Sequence, residues 1–270
     1  MKTQLKISIF ILSTVAFTGC ATTTEQGATG VNRSQFTWGV SSEEIDQEAA
    51  KSYEATKKEA QAKHALDVNR DELRRVTEIS KRLIPQTAIF RKDALQWKWE
   101  VHVISSKELN AYCMPGGKII FYSGLIEQLK MTDGEIAAVM GHEISHALRE
   151  HGRERMAEEL AKQKGLGLLS ASGAVQAPYV NAIGLASNYI FTLPHSRTQE
   201  SEADTMGVEL MARAGYNPQE AMNLWKKMGA VGGDKPPELL STHPADETRL
   251  KHIASLMPKV MPLYEQASKK

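Results

Sequence analysis

Two histidines four residues apart, with a glutamate directly after the first, stand in the middle of the chain. They form the segment HEISH at residues 142–146, inside a helical pattern that starts with capping-box spacing at residues 132–135. Residues four apart lie on one helical face, so both imidazoles can reach a single Zn²⁺, and Glu143 can reach a water beside it as a general base. The spacing therefore predicts that the chain folds around a metal-binding helix.

The alternative is a pair of surface histidines on an amphipathic helix. Small and apolar residues flank the pair, and charging two histidines in such surroundings is costly. A catalytic zinc also needs a third protein ligand and an open position. The metzincin class would require Gly at position 149 and His at 152, but the chain has Arg149 and Gly152, which excludes that class. His151 lies about half a turn in angle from His142, so we expect it to face solvent near the helix end.

Carboxylates that could supply the third ligand are few, because none occurs between Glu159 and Glu200. A helix then opens with ESEAD at residues 200–204. Glu200 and Asp204 share one face at i and i+4, whereas Glu202 points elsewhere. This geometry favours Glu200 as the third ligand and Asp204 as the partner that orients a ligating histidine. The alternative is that the three carboxylates only favour a helix amino terminus.

The rest of the pattern indicates an α+β chain with a helical bulk and a small antiparallel sheet. Residues 97–105 alternate as WKWEVHVIS, which is typical of a strand, and two further extended runs flank a Met-Pro-Gly-Gly turn. The predicted elements are helices over 43–63 and 71–83, strands within 97–105, 110–113 and 118–122, and helices after residue 124.

Composition excludes two classes of protein. Lys and Arg number 33 against 32 Asp and Glu, so the chain lacks the excess of basic residues that nucleic-acid-binding proteins use to contact phosphates. A charged fraction of 24% argues against a polytopic membrane protein. Residues 165–196 contain no Asp, Glu, Lys or Arg, but their Gly, Pro and Asn content predicts buried helices joined by a loop instead of a membrane span.

The amino terminus has the layout of an export signal. Residues 1–20 comprise a basic start, an apolar run too short to span a bilayer and small residues before Cys20. The ending FTGC resembles a bacterial lipobox, which implies lipidation of Cys20, and Ala21 after it implies sorting to the outer membrane. The alternative is an ordinary signal peptide with an incidental cysteine. We expect a flexible tether over 21–42 and the folded domain over 43–270.

Four motifs in order extend the resemblance to a family. HEISH and ESEAD are preceded by NAYCMPGGKIIFYSGL and followed by STHPADETR. Over residues 71–257 the chain resembles the family-forty-eight metallopeptidases, gluzincins that include CAAX prenyl endoproteases, mitochondrial Oma-type proteases and the bacterial envelope proteases BepA and LoiP. The resemblance implies a mainly helical zincin-type domain and one Zn²⁺ bound by His142, His146 and Glu200, with Glu143 as catalytic base.

Two of these motifs have further physical interpretations. Asn110, Ala111 and Tyr112 lie on a strand that can bind an extended peptide by main-chain pairing, although an ordinary hairpin is the alternative. His243 precedes a helix start, whose dipole disfavours the imidazolium, so a neutral His243 is suited to donate to an oxyanion or to coordinate the metal. In relatives of this kind the matching histidine can occupy the fourth zinc position and hold the enzyme latent. A plain helix cap is the alternative.

Together these features predict a zinc endopeptidase of the bacterial envelope, anchored by Cys20 on the periplasmic side of the outer membrane. The expected substrates are misfolded or misassembled envelope proteins, and the outer-membrane assembly machinery is a possible partner. Two alternatives stay open at this point. One is an assembly chaperone that seldom cuts its clients, and the other is a structural zinc lipoprotein with a closed four-ligand site.

Overall fold

A computed structural model of the 270-residue chain describes residues 20–171, 194–231, 238–243 and 247–269. The predicted signal sequence before Cys20, most of the uncharged segment and the helix start at Pro244 lie outside these residues.

The described chain is mainly helical with small sheets, as the α+β prediction requires. Its elements are β1 (Cys20–Ala21), β2 (Gln35–Phe36), α1 (Ser42–Ala62), α2 (Arg70–Leu83), two 3-10 turns (Ile84–Ile89 and Lys92–Gln96), β3 (Glu100–Ile104), β4 (Ala111–Met114), β5 (Lys118–Tyr122), α3 (Ser123–Gln128), α4 (Asp133–Leu148), α5 (His151–Ala171), α6 (Arg197–Arg213), α7 (Gln219–Gly229), α8 (Glu238–Thr242) and α9 (Glu247–Ala267).

Capping boxes fix the starts of the two helices that carry the predicted metal ligands. The Thr132 hydroxyl accepts from the amide of Glu135, whose carboxylate accepts from the Thr132 amide, and α4 begins there. Ser196 and Gln199 make the same reciprocal pair at the start of α6. Each box satisfies amide groups that a helix end leaves without intrahelical partners.

The sheet of β3, β4 and β5 is mixed, whereas the sequence predicted an antiparallel sheet. Strands β4 and β5 form the expected hairpin, with Ala111 opposite Phe121. Strand β3 pairs with β5 in parallel, which gives the order β3-β5-β4. The alternating pattern identified the strands and their faces, but it carries no information about which hairpin arm receives the third strand. Because of this order, β4 is an edge strand of the described sheet, and it packs against α4.

Helix α4 is buried on every side from Glu135 to Leu148. Helices α4 and α6 approach closely where Gly141 faces Gly207, and a Cβ added to Gly207 would lie 2.9 Å from the backbone nitrogen of His142. Because neither glycine has a side chain, the two backbones can approach each other closely at this crossing. It also brings the HEISH segment next to the start of α6, which carries Glu200 and Asp204.

Residues 22–41 form an amino-terminal strap that packs on the domain, so the predicted flexible tether is wrong for this segment. Gln35 is fully buried and donates to the carbonyl of Arg149. The amides of Ala28 and Thr29 donate to the buried carboxylate of Glu209 at 2.9 Å each. The polar composition that indicated flexibility instead supplies hydrogen bonds to Arg149, directly after α4, and to the carboxylate of Glu209 on α6.

Within the described residues, no helix combines the length and the apolar character that a membrane crossing requires.

Candidate metal centre and active site

Four side chains bring their ligand atoms together at one point. His142 and His146 come from α4, Glu200 from α6, and His243 follows α8 directly, and their ligand atoms all lie within 4.8 Å of one another. Nε2 of His146 is 3.1 Å from Nε2 of His142 and 3.3 Å from Oε1 of Glu200. Nδ1 of His243 is 3.2 Å from Nε2 of His142. The sequence-predicted ligands therefore converge, together with the histidine from the fourth motif.

Asp204 lies where a partner for a ligating histidine was expected. Its Oδ1 is 3.0 Å from Nδ1 of His142, which leaves Nε2 of His142 directed at the cluster. Arg249 on α9 reaches Asp204 with Nε and Nη2 at 2.7 Å each and Oε2 of Glu200 with Nη1 at 2.9 Å. Its guanidinium also lies 3.4 Å from the ring centroid of Trp225. Arg249 thus ties α9 to Asp204 and Glu200 on α6.

Sequence reasoning missed Arg249. The residue lies inside STHPADETR, six positions after His243, and its place in the motif that carries His243 was the available signal.

His151 is fully buried, so the prediction that it faces solvent is wrong. Its Nδ1 is 2.8 Å from Nδ1 of His146, and its Nε2 is 3.0 Å from Oε2 of Glu202. The angular argument assumed one continuous helix, but α4 ends at Leu148 and Glu150 has a positive φ of 53°. The chain turns there and returns His151 to the face of His146.

Glu143 is buried beside the same cluster. It is only 4% exposed, its Oε1 has no hydrogen-bond partner among the described residues, and Nε2 of His243 is 3.7 Å away. Burial raises the pKa of Glu143 above its ordinary value, although nearby His243 and His142 oppose the shift. A carboxyl group with a raised pKa and an unsatisfied oxygen is suited to accept and return a proton.

The donor set fits a zinc ion. Imidazole nitrogens and a carboxylate oxygen are ligands that zinc prefers, and three or four of them meet here in a buried space. Burial opposes charging of Glu200, but His243 and His142 hold the pKa of its carboxyl well below the usual range. Burial also lowers the pKa of His146, so its imidazole is neutral, as a metal ligand must be.

His195 also lies at the centre and was not singled out from the sequence. Its ring stacks on that of His243 with centroids 4.7 Å apart, and its ligand atom comes within 4.8 Å of those of His146 and His151. The guanidinium of Arg155 contacts the His195 ring. A fixed cation in that position disfavours a second metal ion among these three histidines.

A cleft opens beside the cluster along the edge of β4. Asn110, Ala111 and Tyr112 line it, opposite Glu143 and His146. The strand predicted to bind peptide therefore borders the same space as the predicted base.

A buried HExxH helix, a carboxylate from α6 and an edge strand along the cleft form a candidate metal site of the kind that zincin-type metallopeptidases have. The sequence profile of peptidase family M48 matches residues 71–257, and the chain belongs to this family.

Three relatives illustrate the similarity. The mitochondrial metalloendopeptidase OMA1 of Arabidopsis thaliana is 36% identical over 170 residues, 62% of this chain and 34% of the relative. OMA1 of Saccharomyces cerevisiae is 35% identical over 179 residues, 63% of this chain and 50% of the relative. The β-barrel assembly-enhancing protease of Escherichia coli is 28% identical over 176 residues, 62% of this chain and 36% of the relative. The matched region thus spans half or less of each relative's length.

Proposed function

We propose that this chain hydrolyses internal peptide bonds of unfolded polypeptides with a zinc ion held by His142, His146 and Glu200. The convergence of these ligand atoms within 4.8 Å, beside the buried Glu143, is the observation that carries the proposal. Bound zinc supplies Lewis acidity, which acidifies a water and polarises the scissile carbonyl.

Glu143 is the proposed general base. Its buried Oε1, which lacks a hydrogen-bond partner within the described part of the chain, takes the proton of the attacking water and then returns it to the leaving amine. Asp204 holds the ring of His142 through Nδ1, and Arg249 fixes Asp204 and Glu200 in turn. This network orients the ligands before substrate arrives, so the reaction does not have to reorganise them.

The edge of β4 is the proposed substrate-binding strand. Asn110, Ala111 and Tyr112 border the cleft, and an edge strand can pair with the main chain of an extended peptide irrespective of its side chains. Such recognition suits unfolded clients, because a folded protein does not offer a free extended segment.

We further propose that the protein acts in the bacterial envelope, anchored by a lipid on Cys20 at the periplasmic face of the outer membrane, where it removes misfolded or misassembled proteins. The lipobox-like FTGC ending supports this placement, and Cys20 is exposed. The similarity to a relative named β-barrel assembly-enhancing protease supports contact with the assembly machinery. Because the strap is packed, the proposed anchor connects to the domain without a long free linker.

Hydrolysis of casein by the purified full chain, with zinc quantified, tests the activity. We expect about one zinc per chain, and we expect Glu143→Gln to keep the metal but lose roughly 100- to 10,000-fold in rate. Bound zinc without cleavage by any variant would favour the chaperone or the structural zinc lipoprotein instead. Incorporation of labelled palmitate into the wild-type chain but not into Cys20→Ala tests the anchor.

A further inference from the structure

Arg33 on the strap joins two carboxylates that belong to different helices. Its Nη1 donates to Oε1 of Glu154 on α5 at 2.5 Å, and its Nε donates to Oε1 of Glu202 on α6 at 2.7 Å. Nη2 reaches the second oxygen of both carboxylates, at 2.9 and 3.0 Å. Such bidentate pairs fix the planes of both carboxylates. Arg33 lies outside residues 71–257, which match the family profile.

Glu202, held by Arg33, in turn contacts and orients His151. Oε2 of Glu202 accepts hydrogen bonds from Arg33 and Arg149, and Nε2 of His151 lies 3.0 Å from the same oxygen. A carboxylate among cationic donors is an acceptor only, so His151 carries its proton on Nε2. Nδ1 of a neutral His151 is then an acceptor.

His146 completes the series. Its Nδ1 lies 2.8 Å from Nδ1 of His151, so His146 must donate there and keep the lone pair of Nε2. That Nε2 is the atom that faces His142 and Glu200 in the metal cluster. His142 obtains the same tautomer directly from Asp204, whereas His146 obtains it from a carboxylate through an intervening histidine.

We propose that the amino-terminal strap helps to position the metal ligand His146. Arg33 holds Glu202, Glu202 sets the tautomer of His151, and His151 orients His146 for zinc. This inference rests on the proposed role of His146 as a zinc ligand. Arg33, Glu202 and His151 are positioning residues, because none of them contributes a ligand atom to the cluster of His142, His146, Glu200 and His243.

Zinc affinity, measured on the full chain by competition with a chromogenic chelator, tests the proposal. Loss of a partner that orients a metal ligand weakens metal binding about 10- to 100-fold, and we expect this for Arg33→Ala and His151→Leu. His151→Asn places an amide oxygen near the position of Nδ1, so it should restore most of the affinity that His151→Leu loses. Arg75→Ala is the matched control, because Arg75 pairs with Asp133 away from the cluster.

Two further measurements separate orientation from folding. The melting temperature of each metal-free variant shows whether the domain stays folded, and ¹⁵N shifts of the histidine rings in the zinc-loaded wild type should show His146 protonated on Nδ1. Equal losses for His151→Leu and His151→Asn would overturn the proposal, because a hydrogen-bond acceptor would then be irrelevant. Wild-type affinity in Arg33→Ala and His151→Leu would also overturn it.

His146→Ala distinguishes this failure from failure of the proposed function. If His146→Ala loses zinc while Arg33→Ala and His151→Leu keep it, the metal site stands and the role of the strap is wrong. If His146→Ala keeps wild-type zinc affinity, the proposed ligand set is wrong. The inference about the strap is then wrong as well, because it depends on His146 as a ligand.

Discussion

His243 lies between Glu200 and Glu143, with Nδ1 2.8 Å from Oε1 of Glu200 and Nε2 3.7 Å from Oε1 of Glu143. A water activated by Glu143 and attacking a bound carbonyl would need this same space. The backbone of His243 is held because its amide donates to the carbonyl of Leu239 at 2.8 Å, and its ring stacks on that of His195. In this position Nδ1 of His243 lies within 4.8 Å of the ligand atoms of His142, His146 and Glu200, and its ring lies beside the proposed base.

We therefore predict that His243→Ala hydrolyses casein faster than the wild type. Removing the imidazole opens the fourth position while His142, His146 and Glu200 still hold the metal. The rate should rise severalfold with about one zinc per chain retained, measured by steady-state proteolysis and metal analysis. His102→Ala is the matched control, because that histidine pairs with Asp67 away from the cluster. A rate that falls while zinc stays bound would instead assign His243 to transition-state stabilisation.

The close crossing of α4 and α6 gives a second prediction. A methyl group on Gly207 would lie 2.9 Å from the nitrogen of His142 and 3.0 Å from the carbonyl carbon of Gly141. Because these are backbone atoms, Gly207→Ala must push α6 away from α4 and carry Glu200 with it. Overpacking of this kind costs about 1–3 kcal/mol.

We expect Gly207→Ala to lower the melting temperature and to weaken zinc binding together. Calorimetry and chelator competition on the same preparations measure the two effects. Gly229→Ala is the control, since a methyl group there meets no atom of the described residues within 4 Å. Unchanged zinc affinity in a folded Gly207→Ala protein would show that the helix spacing does not set the position of Glu200.

The two residue pairs that carry the proposed metal site could be predicted from the sequence because each pair depends on spacing within one helix. His142 and His146 are four residues apart, as are Glu200 and Asp204, and the structure brings both pairs together. The prediction that His151 faces solvent was wrong because it assumed a continuous helix. The left-handed backbone of Glu150 ends the helical geometry before His151. No local rule shows that a chain will turn back after Arg149.

The sheet and the strap show the same limit over longer distances. Alternation located β3, β4 and β5 but could not give the parallel pairing of β3 with β5, which depends on the path between them. The strap has few apolar residues, so composition indicated a tether. Its partners Arg149 and Glu209 lie more than 100 positions away in sequence, so the sequence alone could not show that the strap contacts them.

Two glycines of the strap allow a test of how closely it packs. Gly27 has a φ of +62°, and a Cβ there would lie 2.4 Å from the ring of Phe90 and 2.8 Å from a carboxylate oxygen of Glu209. Gly30 has a φ of +90°, but a Cβ there meets nothing within 4 Å in the part of the chain that the structure describes. Both positions strain an alanine, which costs about 1 kcal/mol, but only Gly27 adds a clash.

We expect Gly27→Ala to destabilise the protein by about 1–3 kcal/mol more than Gly30→Ala does, measured by urea unfolding. The difference isolates the contact between the strap and the domain, because the backbone cost is similar in both variants. Equal unfolding midpoints for the two variants would mean that the strap does not pack at Gly27, and would weaken the case for Arg33 as a positioning residue.

The anchoring of the strap should also make stability depend on pH. Burial alone would raise the pKa of Glu154, but hydrogen bonds from Arg33 and Gln199 outweigh it and hold this pKa below the ordinary value of 4.5. Between the two pKa values the unfolded chain binds the proton and the folded chain does not, so the stabilisation is present above about pH 4.5 and is lost as pH falls through the folded pKa.

Melting temperatures measured from pH 7 down to pH 3 check this dependence. The wild type should lose stability below about pH 4.5, and Glu154→Gln, which removes the titrating group, should show a shallower decline over the same range. The variant starts from a lower melting temperature at pH 7, because an amide cannot replace the ion pair that Arg33 makes at 2.5 Å. Parallel curves for both proteins would show that Glu154 does not contribute to the acid sensitivity.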